Sequence, residues 1–158
     1  MRKIQRIAIY DMDGTIVDSS HRYRTVQTPA GERIDLDYWR ANEYRAMDDG
    51  LLPLASQYMQ ELRDPSVFVI IATARVMRAP DWQFVDSVLG APDYFISRED
   101  GDTQSGATLK IKGLQQLFNL RQFRGLPAVF YEDNTSYLKA VCDYFNITGV
   151  YIPSKQGH

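Results

Sequence analysis

The chain has 158 residues and a formal net charge of -2, enough for one hydrophobic core and too short for two full-sized domains. No excess of positive charge is available to neutralise a phosphate backbone, which argues against extended sequence-independent nucleic-acid binding. A single cysteine and two histidines exclude an internal disulfide and a multi-cysteine zinc site.

In chain order, Met1-Arg2-Lys3-Ile4-Gln5-Arg6 is positively charged but no signal-peptide apolar region follows it. No apolar run approaches the length that spans a bilayer, so a cytosolic protein is expected, in the host cytoplasm if phage-encoded. Ile7-Ala8-Ile9-Tyr10 is short, apolar and ends at two acids and a glycine, which predicts a buried strand delivering Asp11 to its carboxyl end. From about Asp18 to Gly50 the chain is more polar, with a loop around Pro29-Ala30-Gly31 and a helix expected from Asp37 to about Met47, opened by that aspartate. This stretch, about residues 18–50, would be a small cap inserted into one domain spanning residues 1–158. Leu51 to Leu62 has helical spacing.

Val67 to Ala72 predicts the next strand, followed at once by Thr73-Ala74-Arg75. A helix around Trp82 to Leu89 stops at Gly90, and Tyr94-Phe95-Ile96 is a short strand. Arg98 to Thr108 reads as loop and Leu109 to Phe118 as helix. Pro127 to Tyr131 is another strand, ending in Glu132-Asp133-Asn134, and a helix from about Tyr137 to Tyr144 precedes a last strand, Gly149 to Ile152. Cys142 falls on the inner face of that helix as a core residue. Apolar strands alternating with helices predict an α/β fold, a mostly parallel sheet with helices on both faces. Ligands bind beyond the carboxyl ends of such strands, and three of these strands end in reactive polar residues.

Asp11 and Asp13 are two residues apart, so a continuing strand would place both on one face, where they repel unless a cation or a shared proton compensates. With Glu132 or Asp133 they form an oxygen-rich set suited to a hard ion such as Mg²⁺. The segment Asp11-Met12-Asp13-Gly14-Thr15 resembles the first motif of the haloacid dehalogenase-like hydrolases, a Rossmann-like fold. Thr73 matches the second motif and Glu132-Asp133 the fourth, with glutamate where many members have aspartate. The resemblance implies a phosphatase in which Asp11 attacks phosphorus and Asp13 protonates the leaving oxygen, then activates water. It implies Mg²⁺ held by Asp11, the Asp13 main-chain carbonyl and either Glu132 or Asp133, and Thr73 bonded to a transferring oxygen. Read from the residues alone, Thr73 is also a candidate helix N-cap. Lys110 and Lys112 are both candidates for the third-motif lysine; Lys110 is preferred because Leu114, Leu117 and Phe118 share its side of a helix, leaving Lys112 as a secondary phosphate contact.

Over most of its length the chain is similar to the phosphatase half of phage polynucleotide kinase/phosphatases and related small phage phosphatases. Arg22, Arg75 and the run Arg98 to Thr103 with Lys110 match arginine and Gly-Asp-Thr positions of that group, whereas Gly106 and Ala107 stand near where it has an acid. The match implies that Arg22 and Arg75 grip phosphate, although the residues alone fit ion pairs equally well. Tyr23, Trp39 and Tyr44 are candidates for stacking on a base or for packing the cap. A nucleotide or a 3'-phosphorylated nucleic-acid end is the expected substrate, with a 5'(3')-deoxyribonucleotidase, a general small-metabolite phosphatase or a non-catalytic phosphate-binding protein as alternatives; no obligate protein partner is evident. No Gly-rich loop ending in Gly-Lys-Ser or Gly-Lys-Thr is present, so no kinase activity is expected.

Overall fold

The computed structural model describes residues 2–22 and 24–154. Strand β1 (Arg6–Tyr10) leads to a turn at Gly14, whose φ is 80°, and to β2 (Val17–Asp18). A hairpin of β3 (Thr25–Thr28) and β4 (Gly31–Ile34) follows, then α1 (Leu36–Ala41), a 3-10 turn (Glu43–Asp48) and β5 (Gly50–Leu51). Next come α2 (Ala55–Leu62), β6 (Val67–Val76), and α3 (Ala79–Phe84), which runs on into a π-helical turn (Val85–Leu89). The remainder is β7 (Tyr94–Arg98), α4 (Gly106–Phe118), β8 (Ala128–Glu132), α5 (Thr135–Phe145) and β9 (Thr148–Tyr151).

The five long strands form one parallel sheet in the order β7-β6-β1-β8-β9. Alternation along β1 sends Ala8 and Tyr10 to one face and Ile7 and Ile9 to the other. The first pair packs with Tyr58 of α2 and Phe84 of α3; the second packs with Leu114 of α4 and Val141 of α5. With both faces covered, every residue from Ile7 to Tyr10 is at most 1% exposed, which is why the strand reads as an unbroken apolar run. Each fully buried large side chain of this kind contributes about 1.5–3 kcal/mol. The chain builds outward from β1 to β7, then returns across β1 to β8, so the order reverses between β1 and β8. Their carboxyl ends therefore flank the crevice where such sheets bind ligands.

Several local expectations are corrected. Strand β6 continues past Ala72 to Val76, so Thr73 and Arg75 lie within it and Thr73 caps no helix; α3 starts at Ala79 with Arg78 as its N-cap. Between the pairs Ala72–Ile96 and Val76–Arg98, β6 advances four residues while β7 advances two, and such a bulge re-aims side chains. Pro29 and Ala30 form the turn of a hairpin whose residues are almost all exposed, so no apolar alternation marked its strands. The helix expected to open at Asp37 is capped by Asp35, whose side chain accepts from the Tyr38 N–H at 3.1 Å, and it ends at Ala41. Leu51 pairs with Val17 in a strand, and α2 begins only after Pro53. The loop expected to run to Thr108 ends at Ser105, which caps α4 by accepting from the Thr108 N–H. Cys142 is half-buried at the margin of the second cluster. Tyr23 lies outside the described residues.

Candidate active site

Asp11 follows β1 directly, its main-chain N–H donating to the Tyr131 carbonyl of β8 at 3.0 Å. That bond carries the strand pairing one residue beyond Tyr10 and fixes where the carboxylate emerges. Its Oδ2 accepts from Thr15 Oγ1 at 3.1 Å and its Oδ1 from Lys110 Nζ at 2.8 Å. Lys110, from the first turns of α4, is 1% exposed and also donates to Glu132 Oε1 at 2.7 Å. The other Glu132 oxygen accepts from the N–H groups of Asp133 and Asn134 at 3.0 and 3.4 Å. Both Glu132 oxygens are thus committed. Asp133 differs: its two carboxylate oxygens are buried and have no hydrogen-bond partner among the described residues.

Charge explains the pairing. Burial alone would lower the Lys110 ammonium, but Asp11 and Glu132 hold it above its ordinary range. Burial would raise Asp11, yet the charge of Lys110 and the polar groups around the carboxylate together hold it below the usual range. Glu132 is pushed well up by burial and by the charge on Asp11, and Asp133 is pushed up to about 7 for the same reasons. One oxygen from each of Asp11, Glu132 and Asp133 lies within 4.8 Å of the others. Among the described residues three carboxylates gather at one ammonium, and the upward push on Glu132 and Asp133 is the cost of that excess of acids; an all-oxygen donor set of this kind fits a hard dication, which would relieve it. Gly14 shapes this place: a Cβ there would lie 2.1 Å from Asp133 Oδ2, so no other residue leaves room for the carboxylate.

Beside this cluster, Asp13 accepts from Ser19 Oγ at 2.6 Å and from Arg75 through Nε at 3.1 Å and through Nη2. The Arg75 guanidinium also donates through Nη1 to Asp81 at 2.6 Å and through Nη2 to Asp49 at 3.3 Å. Burial would lower Arg75, but Asp13, Asp81 and Asp49 together hold it raised. Arg22 is fully buried and forms a two-pronged pair with Asp49 at 2.8 and 2.9 Å. His21 meets the same carboxylate at 2.8 Å. Trp39 of α1 lies over both guanidinium groups, 4.5 Å from Arg22 and 5.6 Å from Arg75. Thr73, 1% exposed, accepts from the Arg75 N–H at 3.1 Å.

A cavity of about 530 Å³ opens above these groups, with Asp11, Asp13, Thr73, Arg75, Lys110 and Glu132 on its floor. Its walls include Leu36, Trp39 and Glu43 of the segment between β2 and β5, and Arg98, Gln104 and Tyr137 opposite. Asp133 is not among its lining residues and lies against Gly14. Two expected substrate contacts do not reach it. Arg22 is buried under Trp39, where Asp49 absorbs its charge, and Lys112 points to the exposed face of α4 because it lies two residues, over half a helical turn, from Lys110. Tyr44 is 72% exposed and away from the cavity, while Trp39 borders it. Asp49, Asp81 and Thr15 were not anticipated. Asp49 and Asp81 occupy a turn and a helix start, where an aspartate gives no sign of an arginine partner distant in sequence; Thr15 stood in view inside the first motif.

A sequence model of the family described as Bacteriophage T5 5'-deoxynucleotidase matches residues 1–89. The 5'-deoxynucleotidase of Escherichia phage T5 is 34% identical over 85 residues, a match taking in 52% of this chain and 34% of that protein. The chain therefore spans about a third of the length of this relative. Among solved structures, a chain of the Pnkp1/Rnl/Hen1 RNA repair complex has a TM-score of 0.67 at 17% identity, over 96% of this chain and 43% of that one. A haloacid dehalogenase-like family hydrolase from Streptococcus pneumoniae has a TM-score of 0.64 at 14% identity, over 96% of this chain and 88% of that one. The fold is that of the haloacid dehalogenase-like proteins.

Proposed function

The chain belongs to the bacteriophage T5 5'-deoxynucleotidase family, and we propose that it is a phosphomonoesterase that removes phosphate from 5'-deoxynucleoside monophosphates, with Mg²⁺ as cofactor. The observation that carries this reading is the pairing of a charged, lysine-held Asp11 with an Asp133 whose two oxygens have no hydrogen-bond partner among the described residues. Lys110 keeps Asp11 ionised and therefore nucleophilic. Attack of an Asp11 oxygen on phosphorus forms an aspartyl phosphate as the bond to the nucleoside oxygen breaks; Asp13 gives that oxygen its proton, then takes one from the water that cleaves the acyl phosphate. Thr73 offers its hydroxyl proton to a transferring oxygen.

Asp11, Asp133 and the main-chain carbonyl of Asp13 would hold the cation, with Glu132 serving instead as the anchor of Lys110. When bound, the cation screens Asp11 from the incoming phosphate and stabilises charge on the transferring oxygens. The chain works as one hydrolase unit with the segment between β2 and β5 as its cap, and Trp39 gives the nucleoside an apolar wall. A cavity of about 530 Å³ lies within the ~300–1,000 Å³ usual for small ligands, which favours a mononucleotide over a strand end. The test is phosphate release with Mg²⁺ from 5'- and 3'-deoxynucleoside monophosphates and a 3'-phosphorylated oligonucleotide, with Asp11→Asn as blank. Preference for the 5'-monophosphates is expected; preference for the oligonucleotide would overturn the substrate, and no release from any of them the whole reading.

A further inference from the structure

The cations around the cavity differ in what already holds them. Lys110 is shared by Asp11 and Glu132. Arg75 spends Nε and both terminal nitrogens on carboxylates, and Arg22 gives Nε and Nη2 to Asp49. Arg40 is 66% exposed, with Asp37 at 3.7 Å. Arg98 is unlike all of these. It is half-buried on the cavity wall, and its hydrogen bonds go only to main-chain carbonyls: Nε to Ala74 at 2.8 Å, Nη1 to Asp102 and Gln104 at 2.9 and 2.7 Å. Carbonyls orient a guanidinium without neutralising it, and the Asp102 carboxylate, whose charge acts on Arg98, spends both oxygens on Gln104. Its Nη2 has no hydrogen bond among the described residues.

Position adds to this. Ala74 lies in the bulge of β6 between Thr73 and Arg75, and Arg98 is paired with Val76 where the ladder resumes. The carbonyl released by the bulge therefore fixes the Arg98 fork one residue from Thr73. We propose that Arg98, through Nη2, is the arginine that grips the substrate's phosphate, and that Arg75 instead positions Asp13. This rests on the phosphomonoesterase reading for its substrate, but phosphate binding itself does not require turnover. A guanidinium fixed on two sides and open on the third suits an oxyanion.

The experiment is titration calorimetry of inorganic phosphate with Mg²⁺ present, on the wild type, Arg98→Gln and Arg98→Lys, alongside KM and kcat for a 5'-deoxynucleoside monophosphate. Losing one charge-assisted contact is expected to weaken phosphate binding and raise KM together by about tenfold to a hundredfold, with Arg98→Lys recovering part of both. A purely structural Arg98 would lower the melting temperature of Arg98→Gln while phosphate affinity and KM stayed at wild-type values, and that would overturn the assignment, as would a wild type that binds no phosphate. A wild type that binds phosphate through Arg98 but hydrolyses no nucleotide would sink the nucleotide substrate and leave Arg98 in place.

Discussion

At the scale of single residues, the site is governed by where buried charge finds a partner. Among the described residues Lys110 is the one ammonium beside Asp11, Glu132 and Asp133, so replacing it should leave three carboxylates facing one another without compensation. Lys110→Met is expected to destabilise the metal-free protein by about 3–5 kcal/mol, read as the shift in urea midpoint, with added Mg²⁺ restoring part of the loss; an unchanged midpoint would contradict the pairing. Gly14→Ala meets two obstacles, a φ of 80° and a Cβ that would overlap Asp133 Oδ2. It should cost about 1–3 kcal/mol through the backbone alone and should also weaken Mg²⁺ binding, measured calorimetrically. Retained Mg²⁺ affinity would place the cation away from Asp133. The first motif was legible because two close acids and a glycine after an apolar run have few structural explanations. Arg22 was not, because a guanidinium serves an ion pair or a phosphate with the same donors, and the deciding Asp49 lies 27 residues away.

At the scale of elements, the cavity depends on α1 and on the bulge in β6. The short α1 has six residues, too few to persist alone, and its start depends on the Asp35 cap. Asp35→Ala should cost about 1 kcal/mol and let Trp39 drift from the two arginines, seen as faster amide exchange confined to α1. If exchange rises equally throughout the molecule, the cap is not an independently held element. Strands β1, β6 and β8 were legible because burial on both faces makes them unbroken apolar runs. The hairpin β3–β4 was not, since nearly all its residues face water, and two-residue strands such as β2 and β5 are too short for any periodicity. The bulge left no trace either: Ala72-Thr73-Ala74-Arg75 continues an apolar strand without a glycine to mark it.

For the molecule as a whole, the strand order explains why residues so far apart in sequence meet. Asp11 and Asp133 end neighbouring strands at the point where the order reverses, and Thr73 follows on the next strand out, so an alternating β/α pattern already implied a common edge. What the pattern did not contain was how the segment between β2 and β5 is held to the sheet: Asp49 and Trp39 meet Arg75 of β6, and Arg22 meets Asp81 of α3. A cation bound only by the folded cluster should stabilise the entire domain: saturating Mg²⁺, at about a hundred times its Kd, should add about 2.7 kcal/mol to the wild type and little to Asp133→Asn. Equal stabilisation of both would mean that Mg²⁺ acts elsewhere.

The central claim is that Asp11 is the nucleophile, and trapping the covalent intermediate tests it most directly. The protein would be mixed with a 5'-deoxynucleoside monophosphate radiolabelled in its phosphate and Mg²⁺, quenched in acid within the first turnovers, and digested to locate the label. Label on the peptide containing Asp11, absent from Asp11→Asn, is the predicted result; phosphate release by wild type without any protein-bound label, or label that survives Asp11→Asn, would contradict the account.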